Sequence, residues 1–342
     1  MISNNNKKCV IAVDAMGSDN SPHNDVIGAY NAWTKFKSFE LLLVGDKNEI
    51  LKVASQNNLN IPEDWIVHAP EKILMSDTPT TAIKTKKNSS IVIGASLVKE
   101  KKADAFVSAG NTGAMLTAST LIMGRIPGVG RPTIGASFPN QLGSFTLVFD
   151  AGASVDSKPQ HLLEYSAMGT IFCKEIYGVA NPSVGLLSVG EEESKGNELT
   201  FATNKLLKES KLNYIGNVEG RDILNGAVNV VVCDGFVGNI ILKFGESVIG
   251  FLKAKMRTVA EGSLLDKIKV LIAKGALRKA LSDLDYQKHG GVPLLGVNGI
   301  SIIGHGSSTP LAIENMILRA KEMYDKNVIS KFEEAIKDYA VK

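Results

Sequence analysis

The sequence predicts a three-layer α/β/α fold on a mainly parallel sheet, carrying a helical hairpin excursion. Three observations support this. Short β-branched runs alternate with helical patterns along most of the 342 residues. The runs are continuously apolar, as strands covered on both faces are. Most of them end in a glycine-containing loop that leads into a helix. The chain is 44% hydrophobic and 21% charged, ordinary values for a globular protein, and it is long enough to bury a large core. It shows no internal repeat and no low-complexity linker, so one continuous unit over residues 1–342 is expected.

After a polar start, "MISNNNKK", the run "CVIAVD" (9–14) reads as the first buried strand. It is followed by "ELLLVG" (40–45), "AFVSAG" (105–110), "FTLVFDAG" (145–152), "VGLLSVG" (184–190) and "VNVVVCDG" (228–235). In parallel sheets, functional residues gather beyond the carboxyl ends of the strands. Those places hold "DAMGSDNSP" (14–22), "SAGNTGA" (108–114), "DAGASVD" (150–156), "SVGEEESKGNE" (188–198) and "CDGFVGN" (233–239), and they are expected to converge.

Residues 244–290 depart from the alternation. Two long helical patterns meet near Gly262, and residues 251–281 carry eight basic side chains against Glu261 and Asp266. In the second helix Leu264, Ile268, Leu271 and Ile272 share one face, while Lys267, Lys274 and Arg278 lie on another. The basic face reads either as a solvated surface or as a dock for an acidic partner or anionic membrane. Beyond it, Asn298-Gly299 suits a tight hairpin, and two helices close the chain.

Composition and motifs exclude several chemistries. A formal net charge of +3 does not by itself indicate nucleic-acid binding. Cys9, Cys173 and Cys233 are odd in number, far apart and without CxxC spacing, which argues against a disulfide framework or a cysteine zinc site. The N-terminus lacks an apolar signal core, and no uninterrupted run approaches the roughly 18 apolar residues of a membrane span. A reduced, cytoplasmic protein is therefore expected. There is no Walker loop, no HExxH and no GxSxG elbow. What remains is a set of small-residue loops, Asn and Ser side chains, and Lys195 within an acidic loop. Such groups bind phosphate and polarise a carbonyl.

At these loops the sequence resembles the bacterial phosphate acyltransferases of phospholipid synthesis. The matching stretches are "VIAVDAMGSDNSP", "VSAGNTGA", "GRPTIGASFP", "LLSVGEEESKGN", "VVVCDGFVGNIILK" and "GGVPLLGVNGISIIGHGSS", in order over roughly residues 8–330. Ser18 stands where that family usually has a second glycine, and His289 and Val292 are unusual beside the Gly290-Gly291 pair. The resemblance implies a fold similar to the phosphotransacetylases and the isocitrate/isopropylmalate dehydrogenases, and a homodimer. It implies a reaction in which inorganic phosphate takes a fatty acyl group from acyl carrier protein. The acyl phosphate formed serves a downstream membrane glycerol-3-phosphate acyltransferase, with peripheral membrane contact and no nucleic-acid partner. Phosphate is itself the nucleophile, so the demands are alignment and oxyanion stabilisation, with no cofactor and no metal.

On that resemblance Lys195 and Asn239 are the expected catalytic residues, as a cation and a donor toward phosphate or oxyanion. Gly110, Asn111, Thr112 and Gly113 are expected to form part of a phosphate cradle, with an Asn-capped strand-to-helix turn as the plain alternative. Asp14, Gly17 and Asp234 are expected in the same substrate- and phosphate-binding set, with Asp14, Asp19 and Asp234 orienting loops by accepting N–H bonds. His305, Ser307 and Ser308 precede a helix, where Ser307 or Ser308 reads as the N-cap and as a phosphate contact. Lys267, Lys274 and Arg278 are expected to dock the acidic carrier. Two other readings stand beside this one: a metal- and NAD-dependent decarboxylating dehydrogenase, and a non-catalytic scaffold that gathers carrier protein at the membrane.

Overall fold

A computed structural model describes residues 8–280, 287 and 290–339. Its strands are β1 (Cys9–Asp14), β2 (Phe39–Gly45), β3 (Ile66–His68), β4 (Ala105–Ser108), β5 (Thr133–Pro139), β6 (Phe145–Phe149), β7 (Ser183–Leu187), β8 (Asn213–Val218), β9 (Val230–Val232), β10 (Val292–Leu295) and β11 (Ile300–Ile303). They form one sheet in the order β3-β2-β1-β4-β11-β10-β5-β6-β9-β7-β8. The six predicted strands are all present: β1 and β2 end where expected, while β4, β6, β7 and β9 give their last two or three residues to the following loops. β3, β5 and β8 were not anticipated. β8, "NYIGNV", alternates polar and apolar residues at the sheet edge and lacks the continuous apolar signature of a covered strand.

The helices cover both faces. α1 (His23–Phe36), α2 (Lys47–Gln56), α6 (Pro159–Tyr177), α7 (Glu198–Glu209), α11 (Pro310–Asp325) and α12 (Val328–Tyr339) enclose a core with Ile11, Val13, Leu43, Val107, Phe149 and Val232. The opposite face holds α3 (Pro79–Thr85), α4 (Ser90–Lys99), α5 (Thr112–Ala118), α8 (Gly220–Asn225) and the start of α9 (Gly235–Gly262). Alternate strand residues supply the two cores, so Ile11 and Val13 face one layer while Ala12 faces the other. Gly94 lets α4 lie directly on the sheet: a Cβ there would come within 2.1 Å of the Phe106 ring.

The sheet is parallel at both ends and antiparallel in its middle. β10 runs against both β11 and β5, and β5 runs against β6. Consequently β6, β9, β7 and β8 run opposite to β1, β2, β4 and β11, and the strand-end loops of the two halves leave opposite ends of the ladder. The β10–β11 hairpin forms as expected, but its turn spans 296–299, with positive φ at Gly296 (+90°) and Gly299 (+154°). It is not a tight two-residue turn because Asn298 reaches outward to bond the Arg125 carbonyl at 2.9 Å.

α9 leaves the sheet after Leu242, which packs into the core, and Phe244 is already 70% exposed. Ser263 ends the helix and its hydroxyl accepts the Asp266 N–H at 3.1 Å, opening α10 (Leu264–Ala280), which packs back on α9. α9 is long and apolar enough to cross a membrane by length and composition. As expected, polar residues interrupt every apolar run in it; only the average along the helix is high. His289, named above as unusual, lies outside the described residues, as does the Arg278 side chain.

Asp25 provides a test of the packing under β1. It is fully buried in the first turn of α1, accepts the Ser18 hydroxyl at 2.6 Å, and has one carboxylate oxygen without a partner. Burial pushes its pKa well above 3.8, and the nearby Asp14 carboxylate adds repulsion. The folded state therefore holds this proton more tightly than the unfolded chain does. Asp25's contribution to stability is largest below the unfolded-chain pKa and is lost as pH rises through the folded-state value. Asp25→Asn should melt higher than wild type at pH 8, by roughly 1–3 kcal/mol, with the gap closing toward pH 4. A difference that is flat across pH in thermal melts would contradict this.

Candidate active site

The predicted residues form two groups. The first lies beyond β1, β4 and β11. Asp14 accepts the Ser108 hydroxyl at 2.6 Å and the Met16 N–H at 2.9 Å, and burial raises its pKa. Gly17 sits against it: a Cβ there would meet Asp14 Oδ2 and the Gly110 nitrogen, each at 2.8 Å. Gly110 donates its N–H to Ser108 Oγ at 3.0 Å. The Asn111 side chain caps α5 through the Ala114 N–H at 3.0 Å. Its amide reaches the carbonyls of Leu74, Met75 and Asp77 at 3.1–3.2 Å. Gly113 faces Pro79, where a Cβ would meet the ring at 2.5 Å, and Thr112 is exposed. In this loop, small residues serve close packing of neighbouring loops, and the Asn cap is realised.

The loop after β11 joins the same group. The Gly306 carbonyl accepts the Asp19 N–H at 2.7 Å, and His305 Nδ1 lies 2.8 Å from Ser307 Oγ. The helix cap expected at Ser307 or Ser308 is in fact Thr309, whose hydroxyl accepts the Ala312 N–H. Pro310 occupies the first helical position, which places the cap on the residue just before it. Ser308 is buried, and its carbonyl accepts the Asn24 amide at 2.9 Å.

The second group lies beyond β6, β7 and β9. At its centre is Asp150, a residue the sequence reading did not single out. Its Oδ1 accepts the N–H groups of Ile134, Gly152 and Ala153 at 2.9–3.2 Å, and Oδ2 accepts that of Ser154 at 2.7 Å. Burial raises its pKa while these four bonds pull it back. Its sequence signal was an Asp at a strand end followed by small residues, as in "VDAMG", "FDAGA" and "CDGFV". Asp234 caps α9 by accepting the Val237 N–H at 2.9 Å. One turn on, the exposed Asn239 carries its amide above the 150–152 loop, 3.5 Å from the Ala151 carbonyl. Gly152 (φ +129°) leaves it room, since a Cβ there would lie 2.5 Å from Asn239 Nδ2.

Lys195 stands on the neighbouring loop after β7. Its carbonyl accepts Ser188 Oγ at 3.2 Å and the Asn217 amide at 3.3 Å, and its N–H closes a turn on the Glu192 carbonyl. The acidic neighbours pair elsewhere, Glu191 with Arg221 at 3.3 Å and Glu193 with Lys208 at 2.5 Å. The Lys195 ammonium thus has no ion pair among the described residues. An open cleft of about 460 Å³ runs between these loops, lined by Val155, Asp156 and Ser157 on one side and by Asn197, Leu199, Asp234 and Phe236 on the other.

Asp150 shares a lateral row with Ile134, Leu294, Ser301 and Phe106, so four strand spacings, about 20 Å, separate it from the first group. The structure does not bring Gly110–Gly113 together with Lys195 and Asn239. The expected convergence assumed a single strand direction, and the reversal around β10 and β5 breaks it.

Nucleophilic groups are scarce at the second group. Cys233 packs under Asp150, and burial pushes its thiol well above the ordinary range; Cys173 is pushed up to about 11. Among the described residues no three His, Cys, Asp or Glu side chains gather where they could hold a metal ion. The arrangement offers an unpaired ammonium, an amide and fixed backbone loops, which suit charge stabilisation.

Comparison with known proteins adds an independent finding. A sequence model of the family described as "fatty acid synthesis protein" matches residues 9–331. The chain is 46% identical over 330 residues to a phosphate acyltransferase of Halothermothrix orenii, covering 95% of this chain and 98% of that protein. It is 47% identical over 330 residues to one of Chlorobaculum parvum, covering 93% and 96%. Its fold superposes on a phosphotransacetylase from Streptococcus pyogenes with a TM-score of 0.59 at 16% identity, over 92% of this chain and 94% of that one. A branched-chain phosphotransacylase from Enterococcus faecalis gives 0.56 at 13%, over 92% and 98%.

Proposed function

We propose, for a chain that belongs to the phosphate acyltransferase family, that it moves a long-chain fatty acyl group from acyl carrier protein to inorganic phosphate. The product, an acyl phosphate, feeds phospholipid synthesis through a membrane glycerol-3-phosphate acyltransferase. The observation that carries this reading is the unpaired Lys195 ammonium beside the Asn239 and Asp150 loops. A phosphate oxygen attacks the thioester carbon, the C–O bond forms, and the carbonyl oxygen becomes an oxyanion. Lys195 and Asn239 stabilise that charge, the C–S bond breaks, and the thiolate leaves to take a proton. No side chain need be acylated, which accords with the raised thiols and with the absence of a Ser–His pair in this group among the described residues.

The helical hairpin supplies the partner surfaces in this reading. Leu264, Leu271 and Ile272 are 76%, 68% and 77% exposed in the single chain, and Phe251 is 60% exposed. We assign this apolar face to a homodimer seam and the Lys267 and Lys274 face of α10 to carrier docking. The protein then works in the cytoplasm, with peripheral contact at the inner membrane face. Reversing Lys267, Lys274 and Arg278 to Glu should raise KM for the acyl-carrier substrate several-fold while leaving KM for phosphate alone, with the effect shrinking as salt rises. An unchanged KM would remove the docking assignment.

The function itself is tested by incubating purified protein with palmitoyl-carrier and labelled phosphate, with EDTA present. Acyl phosphate trapped by hydroxylamine, with one free thiol per turnover, is the expected result. Activity that disappears with EDTA and returns with Mg²⁺ or Mn²⁺ would favour the metal-dependent dehydrogenase chemistry instead.

A further inference from the structure

We propose that Arg131, together with Ser157 and Tyr165, forms the pocket that binds the phosphate dianion, a role that rests on the acyl-transfer reading above. The segment 124–132 is tied down by its own backbone. Glu164 accepts the Gly130 N–H at 2.8 Å and also bonds the Arg131 N–H, while the Arg125 guanidinium donates to the Gly130 carbonyl. The Arg131 guanidinium itself is exposed and has no ion pair or hydrogen bond among the described residues. A guanidinium held by its backbone with its fork free matches the geometry of a phosphate.

Buried hydroxyls without partners mark the same place. Tyr165 is fully buried, and its hydroxyl faces Ser157 Oγ as its one neighbour, with no further partner for either among the described residues. Thr133, one residue before the Ile134 that donates to Asp150, carries a third such hydroxyl. Native proteins rarely leave buried hydroxyls unsatisfied, and among the described residues Thr133, Ser157 and Tyr165 each carry one. Both Arg131 and Asp150 act electrostatically on Tyr165. Ser157 also lines the cleft that Asn197 lines, two residues beyond Lys195.

Three cations, Arg125, Arg131 and Lys158, gather around His161 at this corner. α6 begins here with no acidic residue in its first turn, so its partial positive end is uncompensated. His161 accepts the Lys158 N–H at 3.1 Å, and burial, then Arg131, Lys158 and Arg125, hold its imidazole below the usual pKa and so neutral. The carboxylates of Glu164, Asp150 and Asp234 are turned toward backbone N–H groups, which fixes where their charge points. Asp156 is exposed. Arg131 and Lys195 then divide the work, one cation holding the nucleophile and the other meeting the oxyanion.

The test pairs calorimetry with kinetics on the whole protein. Inorganic phosphate is titrated into wild type, Arg131→Ala, Arg131→Lys and Tyr165→Phe without any acyl donor. Arg131→Ala should weaken phosphate binding and raise KM for phosphate by on the order of 10–100-fold, leaving KM for the acyl donor within about twofold. Arg131→Lys should fall between, and Tyr165→Phe should cost less. Because Arg131 is exposed, thermal melts of its variants should match wild type. Phosphate binding and KM unchanged in Arg131→Ala would overturn the proposal. So would a raised KM for the acyl donor alone, which would place the donor's own phosphate there. Wild-type protein that binds phosphate through Arg131 yet forms no acyl phosphate would keep this pocket and remove the functional reading instead.

Discussion

Lys195→Ala should fold as wild type and lose about 10²–10³-fold in kcat, the usual cost of removing one preorganised group aimed at developing charge. The structure gives this lysine no ion pair to stabilise, since Glu191 and Glu193 are held by Arg221 and Lys208. Its backbone contacts to Ser188 and Asn217 run through the carbonyl and survive the substitution. KM for phosphate should change less than kcat if Arg131 does most of the ground-state holding. Lys195→Arg keeps the charge on a longer, planar head and should recover part of the rate. A folded Lys195→Ala enzyme with near wild-type turnover would remove Lys195 from the mechanism.

Asp150→Asn is expected to be severe although the two side chains share a shape. The carboxylate accepts on both oxygens, three N–H groups on one and Ser154 on the other. An amide has only one acceptor atom, so in either orientation its NH₂ faces at least one N–H. Each such buried clash or orphan costs about 1–3 kcal/mol, and a total loss of about 2–4 kcal/mol is expected in chemical denaturation. Activity should fall as well, because Gly235 at the start of α9 packs on this carboxylate: a Cβ there would lie 2.6 Å from Asp150 Oδ2 and from the Ser154 carbonyl. Asn239 is carried on the same helix. An Asn variant with a wild-type unfolding midpoint would show that Asp150 does not organise the loops.

Much of the fold was legible because covered strands write themselves as continuous apolar runs. β1, β2, β4, β6, β7 and β9 all announce themselves in that way. β8 and β3 sit at the sheet edges, where one side of the strand need not be apolar, and the pattern fades. Strand direction is a property of pairing between distant segments, and no local pattern encodes it. That is why loops such as 108–114 and 188–198, each glycine-bearing and following a strand, were expected together and lie apart. For the same reason Gly113 read as room for a ligand, while its actual neighbour is Pro79, 34 residues earlier in the chain. Lys195 and Asn239 were legible as polar groups in glycine loops at strand ends. Arg131 and Tyr165 were not, since a guanidinium without an ion pair and a hydroxyl without a hydrogen bond become visible only once every neighbour is placed.

The central claim, that phosphate attacks the thioester directly, is tested most sharply by withholding phosphate. Purified enzyme is incubated with palmitoyl-carrier and isotopically labelled free carrier, and label entering the acylated pool is followed alongside the intact protein mass. Direct attack predicts no exchange and no acyl adduct until phosphate is added, whereupon acyl phosphate and free thiol appear in equal amounts. Exchange or a palmitoylated protein in the absence of phosphate would show an acyl-enzyme, and would contradict the account.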